Sequence, residues 1–336
     1  MDDKNEQIYS QYKLDIDNVY KNKGIVYLET KEGLYTVKPY SYTEKKIKLE
    51  NEIKLFLAGK GYLNTDLCIE NNQGEYISLN RYANKYIVKE WFYGRECDIN
   101  SIEDMCRASG NLANLHSLLK EVNVDGEGVS RLEAKNLVKE YMTHINELRR
   151  VKKYIANKKK KNSLELEILK TLDYYYKQAN EYVEKLQKSD YLRLYEEALI
   201  HKKLCHGNYT YHSILLGEDE VFTYNFDKVN IGVQIYDLYT LIRKAMEKNN
   251  WDIDMAKMMI KTYNECLPLN NSEKNILIIL FGYPDKYRKL INGYYNGKKS
   301  WLSIRIYEKL NELIRTEEIR KNFIKDLDEW LREELV

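Results

Sequence analysis

A lysine and a glutamate near the N-terminus have the positions of a pair that could hold phosphate groups. Lys38 lies in the stretch LYTVKPY, whose apolar and aromatic residues alternate and predict a strand. Glu50 lies on the helix that is predicted to follow from Thr43. A strand lysine held by a helix carboxylate can present its ammonium group to the phosphates of a nucleotide. The alternative is that Lys38 is an ordinary solvent-facing lysine at a sheet edge.

A loop rich in small and polar residues follows in the second half of the chain. The stretch HGNYTYHS, residues 206–213, interrupts a helical pattern and must be held by its own hydrogen bonds. The plain interpretation is a structural turn around a hydrogen-bonded His206.

A polar pair follows the next predicted strand. In VFTYNFDKVN a short apolar run leads to Asn225 and Asp227, which are two residues apart. In an extended chain their side chains would point to the same face. One carboxylate at this place could bind a metal ion, and Asp227 could equally cap the following turn.

Two kinds of structure must position these stretches. The N-terminal part consists of short runs rich in Val, Ile and Tyr, punctuated by turns and interrupted by one helix that ends at residues 59–61. From DINSIEDMCRASGNLANLHSLL onward, helical periodicity dominates, with long helices at 134–156 and 163–188. The predicted strands are DIDNVY, GIVYLET, LYTVKPY, DLCIE, EYISL and KYIVKEWF.

This order of elements predicts an α+β protein with two lobes and a binding cleft between them. The expected domains are a β-rich N-terminal lobe with one helix, residues 1–91, and a helical C-terminal lobe, residues 92–336. The C-terminal lobe contains the loop-bearing segment 204–238.

Composition argues against several classes of partner. Charged residues make up 32% of the 336 residues, yet the formal net charge is only +2, which gives no reason to expect a nucleic acid or an anionic membrane as partner. The longest apolar run, residues 276–281, is too short to cross a bilayer. The acidic start MDDKNEQIYS does not resemble a secretory signal, so synthesis in the cytoplasm is expected. The five cysteines are scattered, without a C-x-x-C pair, and predict neither a disulfide framework nor a zinc site.

Taken in order, the candidate stretches resemble the aminoglycoside phosphotransferase branch of the protein-kinase-like superfamily. That family carries a strand lysine, a helix glutamate, a catalytic loop H-G-D-x-x-x-x-N, a metal-binding motif similar to I-D-F, and a later Tyr-Asp-Leu. The resemblance implies a protein-kinase-like fold, with a small β-rich lobe and a large helical lobe, and ATP and magnesium as cofactors. The positions that match these motifs are Lys38, Glu50, His206, Asn208, Ser213, Asn225, Asp227 and Asp237.

A closer resemblance covers the chain from about residue 10 to the C-terminus. The segments WFYGRECDINSIEDMCRASGNLANLH, IYDLYTLIRKAMEKNNWD and YPDKYRKLINGYYNGKKSW resemble the CotS family of bacterial spore coat proteins. This resemblance implies a spore-forming bacterium, synthesis in the mother cell and deposition in the spore coat. It also implies other spore coat proteins as partners.

The chain departs from the kinase pattern at the residue that should accept a proton. Asn208 stands where the resemblance places the catalytic aspartate, which accepts the proton of the attacking hydroxyl. A neutral amide can hydrogen-bond that hydroxyl but cannot take its proton. His206 retains its place in this loop.

The expected magnesium ligands are also altered. Ser213 replaces a metal-binding asparagine, and Asn225 replaces the main metal-binding aspartate. Magnesium prefers anionic oxygen ligands, so these changes weaken the site. Asp227 could still bind a metal ion, although it would not restore a base. Asp237 is expected to keep a structural role, with its carboxylate accepting backbone N–H groups of the 206–208 loop.

Three functional hypotheses follow. The favoured one is a pseudokinase that acts as a structural or assembly component of the spore coat. The alternative is an active small-molecule phosphotransferase that uses ATP and magnesium, with Asp227 as metal ligand. In a third, intermediate case the protein binds nucleotide through Lys38 and Glu50 as a conformational switch, without phosphate transfer.

Overall fold

A computed structural model describes residues 7–122, 132–296 and 302–335. The described residues form two compact units. The first unit draws on the ranges Met1–Glu133 and Lys202–Ile231, and the second on Ala134–His201 and Gly232–Val336. The 206–213 loop and the Asn225 segment therefore belong to the same unit as Lys38 and Glu50.

The first unit is built on an antiparallel sheet of five strands in the order β1-β2-β3-β5-β4. Its N-terminal strands match the predicted runs rich in Val, Ile and Tyr. The strands are β1 (Ile16–Asn22), β2 (Ile25–Thr30), β3 (Leu34–Pro39), β4 (Ser78–Leu79) and β5 (Lys85–Trp91).

The pairing of β3 with β5 decides which side chains share a face. Lys38 lies opposite Ile87, and Thr36 lies opposite Lys89. Directly opposed residues of antiparallel strands point to the same side of the sheet. Ile87 packs in a small core with Ile47 of helix α1 (Glu44–Gly59). The two lysines therefore share the sheet face that carries this helix.

The predicted strand DLCIE is not a regular strand. Cys68 makes one isolated bridge to Lys89 of β5. The backbone groups of Cys68 bind the side chain of Asn51 on helix α1, with Cys68 N–H donating to Oδ1 at 2.8 Å and Nδ2 donating to Cys68 O at 3.0 Å. Two backbone hydrogen bonds hold the segment to β5, from Ile69 N–H to the Val88 carbonyl and from Glu90 N–H to the Leu67 carbonyl.

Helix α2 (Ile102–Leu119) and several short strands complete the first unit. One small sheet has the order β6-β8-β9, and β7 pairs with β10. These pairings bring the 206–213 loop and the 224–229 segment side by side, because each loop is flanked by strands of both sheets. The short strands are β6 (Arg95–Glu96), β7 (Leu204–Cys205), β8 (Ile214–Leu216), β9 (Val221–Thr223) and β10 (Asn230–Ile231).

The second unit is helical in its described residues. A buried cluster that includes Leu148, Leu172, Tyr175, Tyr287 and Leu310 forms its core. Its helices are α3 (Leu137–Asn157), α4 (Ser163–Lys188), α5 (Tyr191–Ile200), α6 (Ile235–Met246), α7 (Ile253–Cys266), α8 (Asn271–Gly282), α9 (Asp285–Asn296) and α10 (Leu302–Glu333).

The α+β class is confirmed, since a β-rich N-terminal part precedes a helical one. Strand β5 ends at Trp91, the predicted end of the β-rich lobe. The first compact unit continues past that residue through helix α2 and also includes residues 202–231. The boundary between lobes at residue 91 therefore stays a prediction. Among the described residues, no helix is both long and apolar enough to span a bilayer.

Candidate functional site

Four charged side chains form a buried cluster between helix α1 and the sheet. Glu50 Oε1 accepts hydrogen bonds from Lys54 Nζ at 2.5 Å and from Lys89 Nζ at 2.6 Å. Asp66 binds the same two ammonium groups, with Lys54 Nζ 2.7 Å from Oδ1 and Lys89 Nζ 3.0 Å from Oδ2. None of the four is more than 5% exposed. The cluster thus joins helix α1, the segment after it and strand β5.

The opposite charges in the cluster keep both carboxylates ionised. Burial by itself would raise the pKa of Glu50, but the ammonium groups of Lys54 and Lys89 lower it below its ordinary value. Burial acts in the same way on Asp66, and the same two lysines bring its pKa well below the usual range. Buried ion pairs of this kind are costly to break, because removing one partner leaves the other charge uncompensated.

The expected pairing of Lys38 with Glu50 is wrong. Glu50 is engaged by Lys54 and Lys89, and Lys38 is not among its ion-pair partners. The physical reason is that Lys89 of the neighbouring strand, on the same sheet face, reaches the Glu50 carboxylate. Lys38 instead places its ammonium nitrogen 4.2 Å from the centre of the Trp91 ring and 5.4 Å from that of Tyr224. Burial lowers the pKa of Lys38 to about 8.

Two rings of a four-membered aromatic cluster, those of Trp91 and Tyr224, lie against the Lys38 ammonium group. The rings of Trp91 and Tyr224 lie 4.8 Å apart, and those of Phe92 and Phe222 stack at 4.3 Å. Trp91 is the last residue of β5 and Phe92 follows it, while Phe222 lies in β9 and Tyr224 follows that strand. A cation over aromatic faces is stabilised by the ring quadrupoles, which takes the place of a carboxylate partner for Lys38.

Gly207 allows the 206–213 loop to approach the 224–229 segment. Its φ is +79°, and a Cβ at this position would lie 2.1 Å from the carbonyl oxygen of Lys228. Only glycine fits such a conformation and such a contact. The sequence signal for this close approach was the glycine of HGN.

His206 ties the two loops together. Its Nδ1 accepts the backbone N–H of Asn208 at 3.3 Å, which assigns the proton to Nε2 and lets that atom donate to the Tyr224 carbonyl at 3.2 Å. The ring is fully buried and packs edge-on against Phe226, with centroids 4.7 Å apart. Because backbone groups occupy both nitrogens, His206 positions the loops and is poorly suited to act as a base.

Asn208 and Ser213 are brought together in this loop, but in different environments. The Asn208 side chain is exposed. The Ser213 hydroxyl is buried, lies 3.1 Å from the Asn208 carbonyl and 2.8 Å from the Thr210 carbonyl, and accepts the Thr210 N–H at 2.9 Å. Its hydrogen-bonding capacity is therefore used within its own loop.

The premise that Asn225 and Asp227 lie on one face of an extended chain is wrong. Strand β9 ends at Thr223, Asn225 adopts the left-handed conformation with φ 65° and ψ 51°, and Phe226–Lys228 form a 3-10 turn. Asparagine tolerates this conformation better than most residues, and the turn buries Phe226. The alternation on which the rescue by Asp227 depended is therefore absent.

The residues present do not fit a magnesium site. Ser213 is satisfied by its loop, Asn225 is neutral, and only Asp227 carries a charge, with Lys228 Nζ 4.0 Å from its Oδ2. Within the described ranges, no group of three or more His, Cys, Asp or Glu side chains could hold a metal ion. Magnesium binding normally draws on carboxylate oxygens together with phosphates.

Asp237 belongs to the second unit and lies in the first turn of α6, where it is 1% exposed. Its role in holding the 206–208 loop remains a prediction.

Sequence reasoning missed Lys54, Asp66 and Lys89. One signal was present, because Glu50 and Lys54 are four residues apart on a predicted helix and such pairs meet on one face. The contribution of Lys89 depends on the β3–β5 register, which a single sequence does not specify.

The sheet with helix α1, the paired loops and the helical unit define a protein-kinase-like fold of the aminoglycoside phosphotransferase type. The chain is similar to an aminoglycoside phosphotransferase from Alicyclobacillus acidocaldarius subsp. acidocaldarius DSM 446, with a TM-score of 0.82 and 15% identity over 97% of this chain and 96% of that one. It is also similar to the AMP-bound spectinomycin phosphotransferase APH(9)-Ia (TM-score 0.64, 12% identity, 91% and 93% coverage). A third similar structure is a microcompartment-associated aminopropanol kinase (TM-score 0.59, 12% identity, 96% and 97% coverage). At these identities the similarity establishes the fold alone.

The family model described as "Spore coat putative kinase YutH" matches residues 5–327. This chain belongs to that family of spore coat proteins. The predicted kinase-like fold and the predicted relationship to spore coat proteins are thus both confirmed.

Proposed function

We propose that this protein is a pseudokinase that serves as a structural or assembly component of the spore coat. The observation that carries the proposal is the engagement of Glu50 by Lys54 and Lys89 in place of Lys38. In an active kinase the strand lysine is held by the helix glutamate, which aims its ammonium group at the nucleotide phosphates. Here helix α1 is anchored by a four-residue charge cluster, in which Glu50 Oε1 binds both lysines and Oε2 has no hydrogen-bond partner in the described part of the chain.

The loops support the same proposal. Asn208 offers an amide where a proton must be accepted, and the Ser213 hydroxyl is held by Asn208 and Thr210. Loss of a general base commonly costs two to four powers of ten in rate. A neutral Asn225 in a left-handed turn adds a second defect. Rapid phosphoryl transfer would require all of these groups to rearrange.

The proposed setting follows from membership of the spore coat family. We propose other coat proteins as partners and synthesis in the mother cell, followed by deposition in the coat. We also propose that Asp237 keeps the structural role expected for the matching aspartate. The nearly balanced charge, +2 for the whole chain, fits protein partners better than nucleic acid.

A second candidate function is ATP-dependent phosphorylation of a small molecule. It is favoured by the similarity to a spectinomycin phosphotransferase and an aminopropanol kinase, and by the exposed position of Asn208 at the tip of an ordered loop. A protein that binds nucleotide without phosphate transfer would be intermediate between the pseudokinase and the active kinase. In that case Lys38 would leave the Trp91 ring and bind the phosphates.

Restoring the missing carboxylates separates these functions. The double variant Asn208→Asp with Asn225→Asp is compared with the wild type for release of phosphate from ATP in magnesium-containing buffer. A pseudokinase whose Glu50 is committed to Lys54 and Lys89 should gain no activity. Substantial wild-type turnover, or a gain of several hundredfold in the double variant, would favour the enzyme.

A further inference from the structure

Buried hydrogen-bond donors without partners are concentrated around Asp285 in the second unit. Native proteins leave few buried polar atoms unpaired, and a concentration of them marks a place for water, an ion or a ligand. The atoms are the hydroxyls of Tyr141, Tyr239 and Tyr283 and the Nε groups of Arg243 and Arg288, each buried and without a hydrogen-bond partner in the described part of the chain.

These side chains come from different helices and meet at one place. The rings of Tyr141 on α3 and Tyr283 at the end of α8 stack with centroids 3.7 Å apart. Arg288 on α9 donates to Asp285 Oδ1 at 2.9 Å. The Arg243 guanidinium on α6 lies 3.8 Å from Asp285 Oδ2. The unpaired donors therefore belong to one neighbourhood.

A small cavity touches several of these groups. It is partly open to solvent and has a volume of about 30 Å³, and its lining includes Tyr239, Arg243, Tyr283 and Asp285. That volume admits two water molecules or one compact polar group. The lining also includes an ion pair between Glu317 and Arg320, 2.8 Å apart, whose two charges balance each other.

Basic side chains are concentrated around Asp285, next to the cavity. Three cations surround the Asp285 carboxylate, namely Arg243, Arg288 and Lys289, the last with Nζ 2.5 Å from Oδ2. The only other carboxylate that binds them in the described chain is Glu247, which is 2.5 Å from Arg243 Nη1. Three cations thus meet two carboxylates around Asp285. The wall of the cavity itself is balanced, with three basic and three acidic side chains, namely Arg243, Lys286, Arg320, Glu247, Asp285 and Glu317.

The chemistry of the unpaired atoms points the same way. An arginine Nε can only donate a hydrogen bond, and a buried tyrosine hydroxyl donates readily. These donors bind an acceptor oxygen, and the hydrogen bonds are stronger when that oxygen carries negative charge. A cation or an apolar group at this position would leave every one of these donors unsatisfied.

We propose that the cavity bounded by Tyr239, Arg243 and Tyr283 binds a small oxyanion, a phosphate or carboxylate group. Arg243 Nε and the hydroxyls of Tyr239 and Tyr283, which belong to residues lining the cavity, donate to the oxygens, while Asp285 lies beside the Arg243 guanidinium. The site lies within the second unit and does not rest on whether the protein transfers phosphate from ATP.

The test is thermal melting of the full chain with sodium phosphate, sodium acetate or sodium chloride at low millimolar concentration and equal ionic strength. At such concentrations the general stabilisation by excluded salts is negligible. The proposal predicts a saturable rise in Tm with an oxyanion beyond that with chloride. A rise with phosphate alone identifies a phosphate site, and a rise with acetate as well identifies a carboxylate-tolerant one. Equal melting in all three salts overturns the proposal and leaves water as the occupant.

Single Tyr→Phe substitutions test which residues bind the oxyanion. Tyr239→Phe and Tyr283→Phe each remove a hydroxyl that has no partner, so Tm without oxyanion should not fall. The affinity for the oxyanion should fall about tenfold for each, the usual effect of losing one hydrogen bond to a charged group. Tyr209→Phe is the matched control, because its buried hydroxyl donates to the Ala108 carbonyl at 2.9 Å in the first unit, and its loss should lower Tm but leave the affinity unchanged. Wild-type affinity in both Tyr239→Phe and Tyr283→Phe would contradict the assignment.

Discussion

The ammonium nitrogen of Lys89 lies 2.6 Å from the carboxylate oxygen Oε1 of Glu50. A lysine on β5 thereby binds one oxygen of the carboxylate that a kinase uses to hold the lysine on β3, while the other oxygen, Oε2, has no hydrogen-bond partner among the described residues. The consequence extends to Lys38, which is left without an ion pair in the described residues and rests on Trp91. This contact between strand β5 and helix α1 thus distinguishes the surroundings of Glu50 from the lysine–glutamate pair typical of an active kinase.

Neutralising Glu50 should destabilise the fold strongly. Glu50→Gln leaves Lys54 and Lys89 buried with only Asp66 to compensate them, so we expect a loss of about 3–5 kcal/mol in the free energy of unfolding. Urea denaturation measures it. The matched control is Glu52→Gln on the exposed side of the same helix, which should change stability by less than about 0.5 kcal/mol. Similar small effects in both variants would mean that the cluster is not formed.

Low pH should weaken the ion pairs that Glu50 makes with Lys54 and Lys89. The folded-state pKa of Glu50 lies below its ordinary value, because the two ammonium groups outweigh the opposing effect of burial. A depressed carboxyl pKa stabilises the folded state above the unfolded pKa of about 4.3, and this contribution is lost as the pH falls through the folded pKa. The stability difference between wild type and Glu50→Gln should therefore shrink below about pH 4.3. A difference that stays constant down to the acid limit of the folded protein would argue against an ionised Glu50.

Removing the charge of Lys38 should stabilise the protein. Burial lowers the pKa of Lys38 from 10.5 to about 8, so the folded state disfavours its charged form. At pH 7 we expect Lys38→Met to gain about 1 kcal/mol, since Met has a similar length and packs well on aromatic rings. At pH values between the folded-state and unfolded-state pKa of Lys38, this lysine is protonated more often in the unfolded chain than in the folded one. The free energy of unfolding of the wild type therefore rises with pH relative to that of the variant.

The gain from Lys38→Met should accordingly be constant below about pH 8 and should vanish towards the ordinary lysine pKa of about 10.4. Lys48→Met, at an exposed position of helix α1, is the control and should show no such trend. Destabilisation by Lys38→Met at pH 7 would show that the lysine has a carboxylate partner after all.

Gly207 should tolerate no side chain. Gly207→Ala combines a φ of +79° with a Cβ 2.1 Å from the Lys228 carbonyl, so the two loops must separate. We expect a loss of about 2–3 kcal/mol in the free energy of unfolding. Gly24→Ala separates the two causes, because its φ is +85° but no atom lies within 4 Å of the added Cβ, and it should cost only about 1 kcal/mol. Equal losses in the two variants would indicate that the loops are not in contact.

Much of the fold was predictable from the sequence because its patterns are local. Alternation identified β1 to β3, and apolar periodicity identified helix α1 from Thr43 to Gly59. The prediction of a regular strand at DLCIE was wrong. There the backbone groups of Cys68 bind the side chain of Asn51, a tertiary contact that alternation does not reveal.

The candidate site was predictable in its elements but only partly in its contacts. Lys38 and Glu50 were placed correctly on a strand and a helix, yet their pairing depended on where Lys89 lies in the sheet register. The same limit applies to Asn225, whose left-handed conformation breaks the alternation assumed for Asp227. Local pattern does not determine which of several nearby lysines reaches a buried carboxylate.

The central proposal is that this protein with a kinase-like fold neither binds nor consumes ATP. It is tested most directly by thermal melting of the wild-type protein with ATP, in the presence and absence of magnesium, together with an assay of ATP consumption. We predict no shift in Tm under either condition and no consumption of ATP. A rise in Tm that requires both ATP and magnesium, accompanied by steady release of product, would contradict the account.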